Sequence, residues 1–158
     1  EVLSPAPDAR WKFDNDASLV ILIRAPQERP PGPPRANPAL EHRLLLCGDI
    51  QRQGMVWTLE KAPHLRPHIL EAPHHGSAHA AAFDFVQDLD PEIVLQSTGD
   101  SRLEDPRWEA VRASLQWWST PAHGAVSVLC YQDGARRVIH WMNPPRRPLP
   151  SAPTPDRP

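Results

Sequence analysis

The apolar positions of this chain fall into short β-branched runs separated by segments with helical spacing. Ser18–Arg24 reads SLVILIR, polar only at its ends, which suits a strand covered on both faces better than an alternating, half-exposed one. Arg43–Cys47 (RLLLC) is a second strand, expected to pair with the first as a hairpin. Its turn is enlarged by Pro26–His42 (PQERPPGPPRANPALEH), whose prolines remove backbone donors and favour extended, solvated chain. Beyond Gly48 and Asp49, the positions Ile50, Met55, Leu59 and Ala62 predict a short helix over Gln51–Lys61, stopped by Pro63. His68–Ala72 (HILEA) predicts a third strand that runs directly into Pro73-His74-His75-Gly76-Ser77. Ala82, Phe83, Val86 and Leu89 then mark an amphipathic helix over Ala78–Leu89, with Ser77 as N-cap and a stop before Asp90-Pro91.

Ile93–Ser97 (IVLQS) predicts a fourth strand, followed by a polar loop over Thr98–Glu104. Asp105 and Pro106 read as N-cap and first position of a long helix that carries Trp108, Val111, Leu115 and Trp118 on one face. Ala125–Tyr131 and Arg136–Trp141 flank Gln132-Asp133-Gly134, an Asp-Gly turn between two strands. The order hairpin, helix, strand, helix, strand, helix, hairpin argues for an α/β layer, and the chain shows no internal repeat. One folding unit over residues 1–142 is expected, with 26–42 as a proline-rich insertion. The tail 143–158 has almost nothing to bury and is expected to be a disordered linker.

Composition sharpens this picture in three places. The 21 prolines concentrate in those two stretches, so they mark boundaries rather than a fibrous chain. Seventeen Lys and Arg against 19 Asp and Glu give a formal charge of −2, which excludes a global field for a polyanion and confines any nucleic-acid role to a local site. Cys47 and Cys130 are too few for a disulfide framework, and each sits in an apolar run where a buried thiol is expected. No apolar run approaches the ~20 residues that cross a bilayer. The segment is therefore expected to be soluble, without membrane contact of its own, and part of something longer.

Two places break the logic of packing. Cys47-Gly48-Asp49 ends an apolar strand in a glycine and a carboxylate, and strand tips in α/β folds are where ligands collect. Asp49 there can ligate or bridge a metal, or cap the helix that begins at Ile50. Pro73-His74-His75-Gly76-Ser77 again follows a strand directly. Adjacent histidines in an extended segment point to opposite sides, so one ligates a metal while the other supports it or moves a proton, unless both are ordinary loop histidines. Two such motifs, one helical unit apart, point to a shared site. His64, His68, His79, His123 and His140 lack paired spacing and read as surface or loop residues. Trp108 and Trp118 read as core and Trp117 as exposed, and Arg136-Arg137 as solvated charge.

These residues carry a family resemblance. Leu44–Ile50 (LLLCGDI), Pro67–Ser77 (PHILEAPHHGS), Asp90–Gly99 (DPEIVLQSTG), Thr120 with His123-Gly124-Ala125-Val126, and Asn15–Val20 (NDASLV) resemble the C-terminal half of the metallo-β-lactamase-like domain of ComEC-type DNA-uptake proteins and related hydrolases. Its most specific piece is PHHGS with the upstream Gly-Asp. The resemblance implies half of an αββα sandwich, a mixed sheet with flanking helices. It implies that Asp49 is a carboxylate shared between metal ions, that His74 or His75 completes one metal's shell, and that the ion is Zn or Mn. Water acidified by such a site attacks a phosphodiester or related bond. Two departures limit the inference: no HxHxDH or HxDxDH cluster occurs, and Asp105-Pro106 stands where the family shows His-Pro. Asp105 either binds metal or only caps its helix.

The functional expectation that follows is a metal-dependent phosphodiesterase half-domain of a DNA-internalisation protein. It needs the N-terminal half for its missing ligands, meets DNA through the parent, and lies outside the cytoplasm in an inner-membrane protein. The alternatives are a stand-alone hydrolase of this fold, or a degenerate domain kept as a scaffold. Two candidate protein ligands leave the 158 residues alone with weak metal binding and negligible turnover.

Overall fold

A computed structural model describes residues 1–5, 10–26, 41–103 and 105–141. The expectations for 27–40 of the insertion and for the tail from 142 onward lie outside the described residues. The fold is mixed α/β, with a six-stranded sheet in the order β1-β2-β3-β4-β5-β6 and flanking helices, an arrangement compatible with half of an αββα sandwich. The strands are β1 (Val2–Ser4), β2 (Val20–Pro26), β3 (Glu41–Leu46), β4 (Ile69–Glu71), β5 (Ile93–Gln96) and β6 (Gln116–Ser119). β2 runs antiparallel to both β1 and β3, whereas β3 to β6 are parallel, so β3, β4 and β5 deliver their C-terminal ends to one edge. β7 (Val126–Cys130) and β8 (Arg136–His140) form the separate hairpin that the Asp133-Gly134 turn predicts.

Strand alternation divides the sheet into two faces. Val20, Leu22, Leu45, Leu70 and Val94 lie on one face and are packed by α1 (Arg52–Lys61), α2 (Ala80–Leu89) and α3 (Glu109–Ser114) through Met55, Ala82, Phe85, Val86, Leu89 and Val111, together with Trp108 just before α3. Ile21, Ile23, Leu44, Leu95 and Trp118 share the opposite face by register. The β7–β8 hairpin closes on part of that face: His42 Nε2 donates to the Tyr131 carbonyl at 2.7 Å, Arg136 pairs with Glu92 at 2.6 Å, and the Trp118 and His140 rings stand 5.0 Å apart. Ile69 and Ile93 are buried there, while Ile23 remains 44% exposed.

Several expectations are corrected. The long helix after Asp105 is a short one: a 3-10 turn at Pro106–Trp108 leads into α3, which ends at Ser114, and Leu115 links it to β6. The 3-4-3 spacing of Trp108, Val111, Leu115 and Trp118 imitates a helix face, but Gln116–Ser119 find parallel partners on β5 and become a strand. The tryptophans are thereby redistributed. Trp117 joins the helix-covered face beside Trp108, with centroids 5.0 Å apart, and Trp118 goes to the other side. Cys130 is exposed, because the hairpin is half-solvated, while Cys47 is buried. Arg136 is mostly buried and ion-paired rather than solvated, and His42 lies in β3 rather than in the loop. His79, not Ser77, caps α2, its ring accepting from Ala82 N at 3.2 Å.

Candidate functional site

The parallel strands assemble the site at their shared edge. β3 ends at Leu46, and Gly48, at φ +55°, turns the chain so that Asp49 follows at the tip. The first helix does not use Asp49 as its cap, since Gln51 holds that position without a side-chain bond. β4 ends at Glu71, and Pro73–Gly76 form a 3-10 turn in which His74 and His75 both take left-handed backbone angles, φ +48° and +56°. That corrects the expected extended segment. Consecutive positive-φ residues turn the chain sharply, and such non-glycine positions persist only where surrounding contacts hold them. Here the holds are visible: His74 N donates to the Gly48 carbonyl at 2.9 Å, Arg102 donates to the His74 carbonyl at 2.8 Å, and Gln96 donates to the His75 carbonyl at 3.3 Å.

The turn brings His75 onto Asp49. Nε2 of His75 stands 3.2 Å from Oδ1 of Asp49, both side chains about half exposed, and Nδ1 of His75 lies 2.9 Å from the Ser97 carbonyl. A carbonyl oxygen only accepts, so Nδ1 carries a proton and Nε2 is the atom presented to the carboxylate. Two states satisfy that contact. Either Nε2 is also protonated and the pair is ionic, or its lone pair and the carboxylate oxygen face a common cation. A separation of 3.2 Å fits adjacent corners around an ion with bonds of about 2.0–2.2 Å, and a backbone carbonyl on the other ring nitrogen is the usual support of a ligating histidine. Asp49 and His75 therefore suit a divalent ion as two of its ligands. Among the described residues no group of three His, Cys, Asp or Glu side chains can close the shell.

His74 and Asp105 stand differently. His74 influences His79, whose pKa is lowered by burial first and by the charge of His74 second. Asp105 accepts from Arg107 N at 3.0 Å as the N-cap of its 3-10 turn and pairs with the Arg107 guanidinium at 2.9 and 2.7 Å. That side-chain bond holds its carboxyl below the ordinary range. A cavity of about 400 Å³ beside His75 is lined by Ser97, Thr98, Gly99, Ser101 and Arg102, whereas Asp105 lines a different one with Pro106, Glu109 and Arg112.

Sequence reasoning missed two residues that build the site. Gln96, within IVLQ, lies under the His75 turn, and its Oε1 accepts from Trp117 Nε1 at 2.8 Å. Glu71, within HILEA, accepts from Cys47 N at 2.9 Å and Gly48 N at 3.1 Å. A polar residue closing an otherwise apolar strand was the available signal. The Cys47 thiol is pushed well above its ordinary pKa, by burial first and Glu71 second, which leaves it a poor nucleophile and a poor ligand.

The chain is similar to ComE operon protein 3 of Bacillus subtilis (strain 168), with 26% identity over 131 residues. The match takes in 79% of this chain and 15% of that protein, so the chain spans less than a sixth of its relative. No family model matches the chain, and no solved structure does. Among the described residues no helix is long and apolar enough to cross a membrane.

Proposed function

We propose that this chain is the C-terminal half of a metallo-β-lactamase-type hydrolase domain in a competence protein of the ComEC kind, and that it supports metal-dependent phosphodiester hydrolysis on DNA. The carrying observation is the convergence of Asp49 and His75, with the His75 tautomer set by Ser97. The similarity to a ComE operon protein supports the competence assignment. Asp49 and His75 would hold one side of a Zn or Mn ion, and the N-terminal half of the domain, seated on the partly open sheet face, would supply the remaining ligands. A divalent ion so held would supply Lewis acidity at neutral pH. The chain's own residues do the rest: Ser97 fixes the ring, and Arg102, tied by one nitrogen to the His74 carbonyl, brings positive charge to the adjacent cavity, where a phosphodiester anion fits between Arg102 and His75.

The test has two arms. Co2+ titrated into the 158-residue chain should perturb the side-chain NMR signals of His75 before those of the other histidines, and Asp49→Ala and His75→Ala should each remove that preference. The full-length parent should cleave a DNA phosphodiester, and the same two substitutions should abolish cleavage. Uniform Co2+ effects over all histidines, or a parent carrying Asp49→Ala that cleaves normally, would refute the assignment. One observation favours a second reading, a scaffold that has lost catalysis: Asp105 is spent on its cap and on Arg107. A parent that binds DNA without cleaving it under any divalent ion decides for the scaffold.

A further inference from the structure

Glu71 is out of place by composition. Strand alternation puts it on the sheet face that Ile69, Leu44, Ile93 and Leu95 share by register, half-buried at the end of β4. A carboxylate among apolar strand positions loses hydration unless protein donors replace the water. Those donors are two consecutive backbone amides of the neighbouring strand's end, Cys47 N at 2.9 Å and Gly48 N at 3.1 Å, both on the same oxygen, Oε2. The carbonyl of Gly48 is taken from the other side by His74 N at 2.9 Å. Gly48 is thus held through both its amide and its carbonyl, at a positive φ that only glycine adopts without strain. The residue after it is Asp49, and the residue after His74 is His75.

We propose that Glu71 is a positioning residue for the Asp49–His75 pair: by clamping the Cys47-Gly48 amides it fixes the turn that aims the Asp49 carboxylate at His75 Nε2. One side-chain oxygen that accepts both amides ties two consecutive donors to a single point, which mobile water at a strand end does not. A carboxylate that holds the backbone under a ligand acts as the supporting partners of metal ligands do. The metal side of this inference rests on the proposed function; the clamp itself does not.

The test separates reach from charge in the intact 158-residue chain. Glu71→Gln keeps an acceptor oxygen at the same reach and loses the charge, whereas Glu71→Asp keeps the charge and is one methylene short of the two amides. Amide hydrogen exchange at Cys47 and Gly48 reads the clamp, Co2+ titration at His75 reads the site, and thermal melting checks the fold. The Gln variant should keep amide protection and Co2+ affinity within about twofold of the parent chain, and the Asp variant should lose both by about tenfold or more. An Asp variant that matches the parent chain in amide protection overturns the proposal, as does a Gln variant that loses as much as the Asp one. If the parent chain shows no Co2+ preference for His75 while the Asp variant alone loses Cys47 and Gly48 protection, the metal reading fails and the clamp stands.

Discussion

Gly76→Ala tests how the site is built. Gly76 is buried at φ +77°, and its carbonyl accepts from Trp108 Nε1 at 2.8 Å. An alanine there meets two penalties. The left-handed backbone costs an L side chain about 1–2 kcal/mol. The added Cβ would also overlap Gln96 Nε2 outright and stand 2.8 Å from its Cδ. Gln96 cannot swing aside freely: it is 1% exposed, accepts from Trp117 Nε1 and from Arg112, and donates to the His75 carbonyl. Overpacking of this kind costs typically about 1–3 kcal/mol. A total loss of about 3–4 kcal/mol is expected, a large share of the roughly 5–15 kcal/mol that a domain holds. Urea unfolding followed by circular dichroism measures it, with Gly99→Ala as control, because an added Cβ at Gly99 meets nothing within 4 Å. The control should change stability by no more than about 0.5 kcal/mol. In a Gln96→Ala background the overlap is gone and only the backbone penalty survives, so the double-mutant cycle should show coupling of about 2 kcal/mol. A Gly76→Ala protein as stable as the Gly99→Ala control, or a cycle with no coupling, would refute the reasoning that Gln96 and Gly76 are packed under the His75 turn.

Two further predictions concern protons and the remaining acidic candidate. The pKa values of His68 and His79 are both lowered from the ordinary 6.5, by burial first in each case and then by electrostatic repulsion from a neighbour, Arg136 for His68 and His74 for His79. Each ring accepts a backbone N–H at Nδ1, from Arg43 at 3.1 Å and Ala82 at 3.2 Å, which requires that nitrogen bare. A histidine with a depressed folded pKa contributes stability that is complete above 6.5 and is lost as pH falls from there through the folded values. The urea midpoint should therefore be lower near pH 5 than near pH 7.5, and an unchanged or higher midpoint in acid contradicts the assignment. Asp105→Ala should lower the melting temperature by removing the cap and the Arg107 pair, yet leave Co2+ association at His75 unaltered. A loss of Co2+ association equal to that of Asp49→Ala makes Asp105 a ligand instead.

How far the sequence reveals this fold depends on whether a residue's fate is decided locally. Strands β2 to β5 show as apolar runs because two-sided burial demands apolar side chains at successive positions, and the Asp-Gly turn announces β7–β8 by its own backbone preference. β6 does not show. Trp117 and Trp118 are strand-favouring, but only the parallel partner β5, some twenty residues upstream, decides against continuing the preceding helix. The site divides the same way. Asp49 and the His74-His75 pair are conspicuous because charge and imidazole at strand tips fit no packing role. The left-handed turn through both histidines is invisible in PHHGS, being imposed by Gly48, Gln96 and Arg102 from three other segments. Glu71 and Gln96 hide for the converse reason: one polar residue at a strand end looks like ordinary alternation until its partners are known.

The exposure of the pair then constrains what it can do. With Asp49 and His75 side chains 46% and 55% exposed, water screens their mutual attraction to the order of 1 kcal/mol, too little to fix their geometry by itself. The geometry is fixed instead by backbone: Glu71 and His74 hold Gly48 from both sides, while Gln96 and Ser97 hold His75. The pair is thus preorganised by the fold alone, but the low dielectric that would strengthen electrostatic catalysis on the proposed function is absent. Exclusion of water from this edge would have to come from whatever covers the face on which Ile23 is 44% exposed. A sheet edge with a carboxylate and an imidazole already aimed at each other, beside a face only partly covered, is the form that the proposed half of a two-layer site would take. On the proposed function, the step that would turn it into a catalyst is therefore coverage rather than rearrangement.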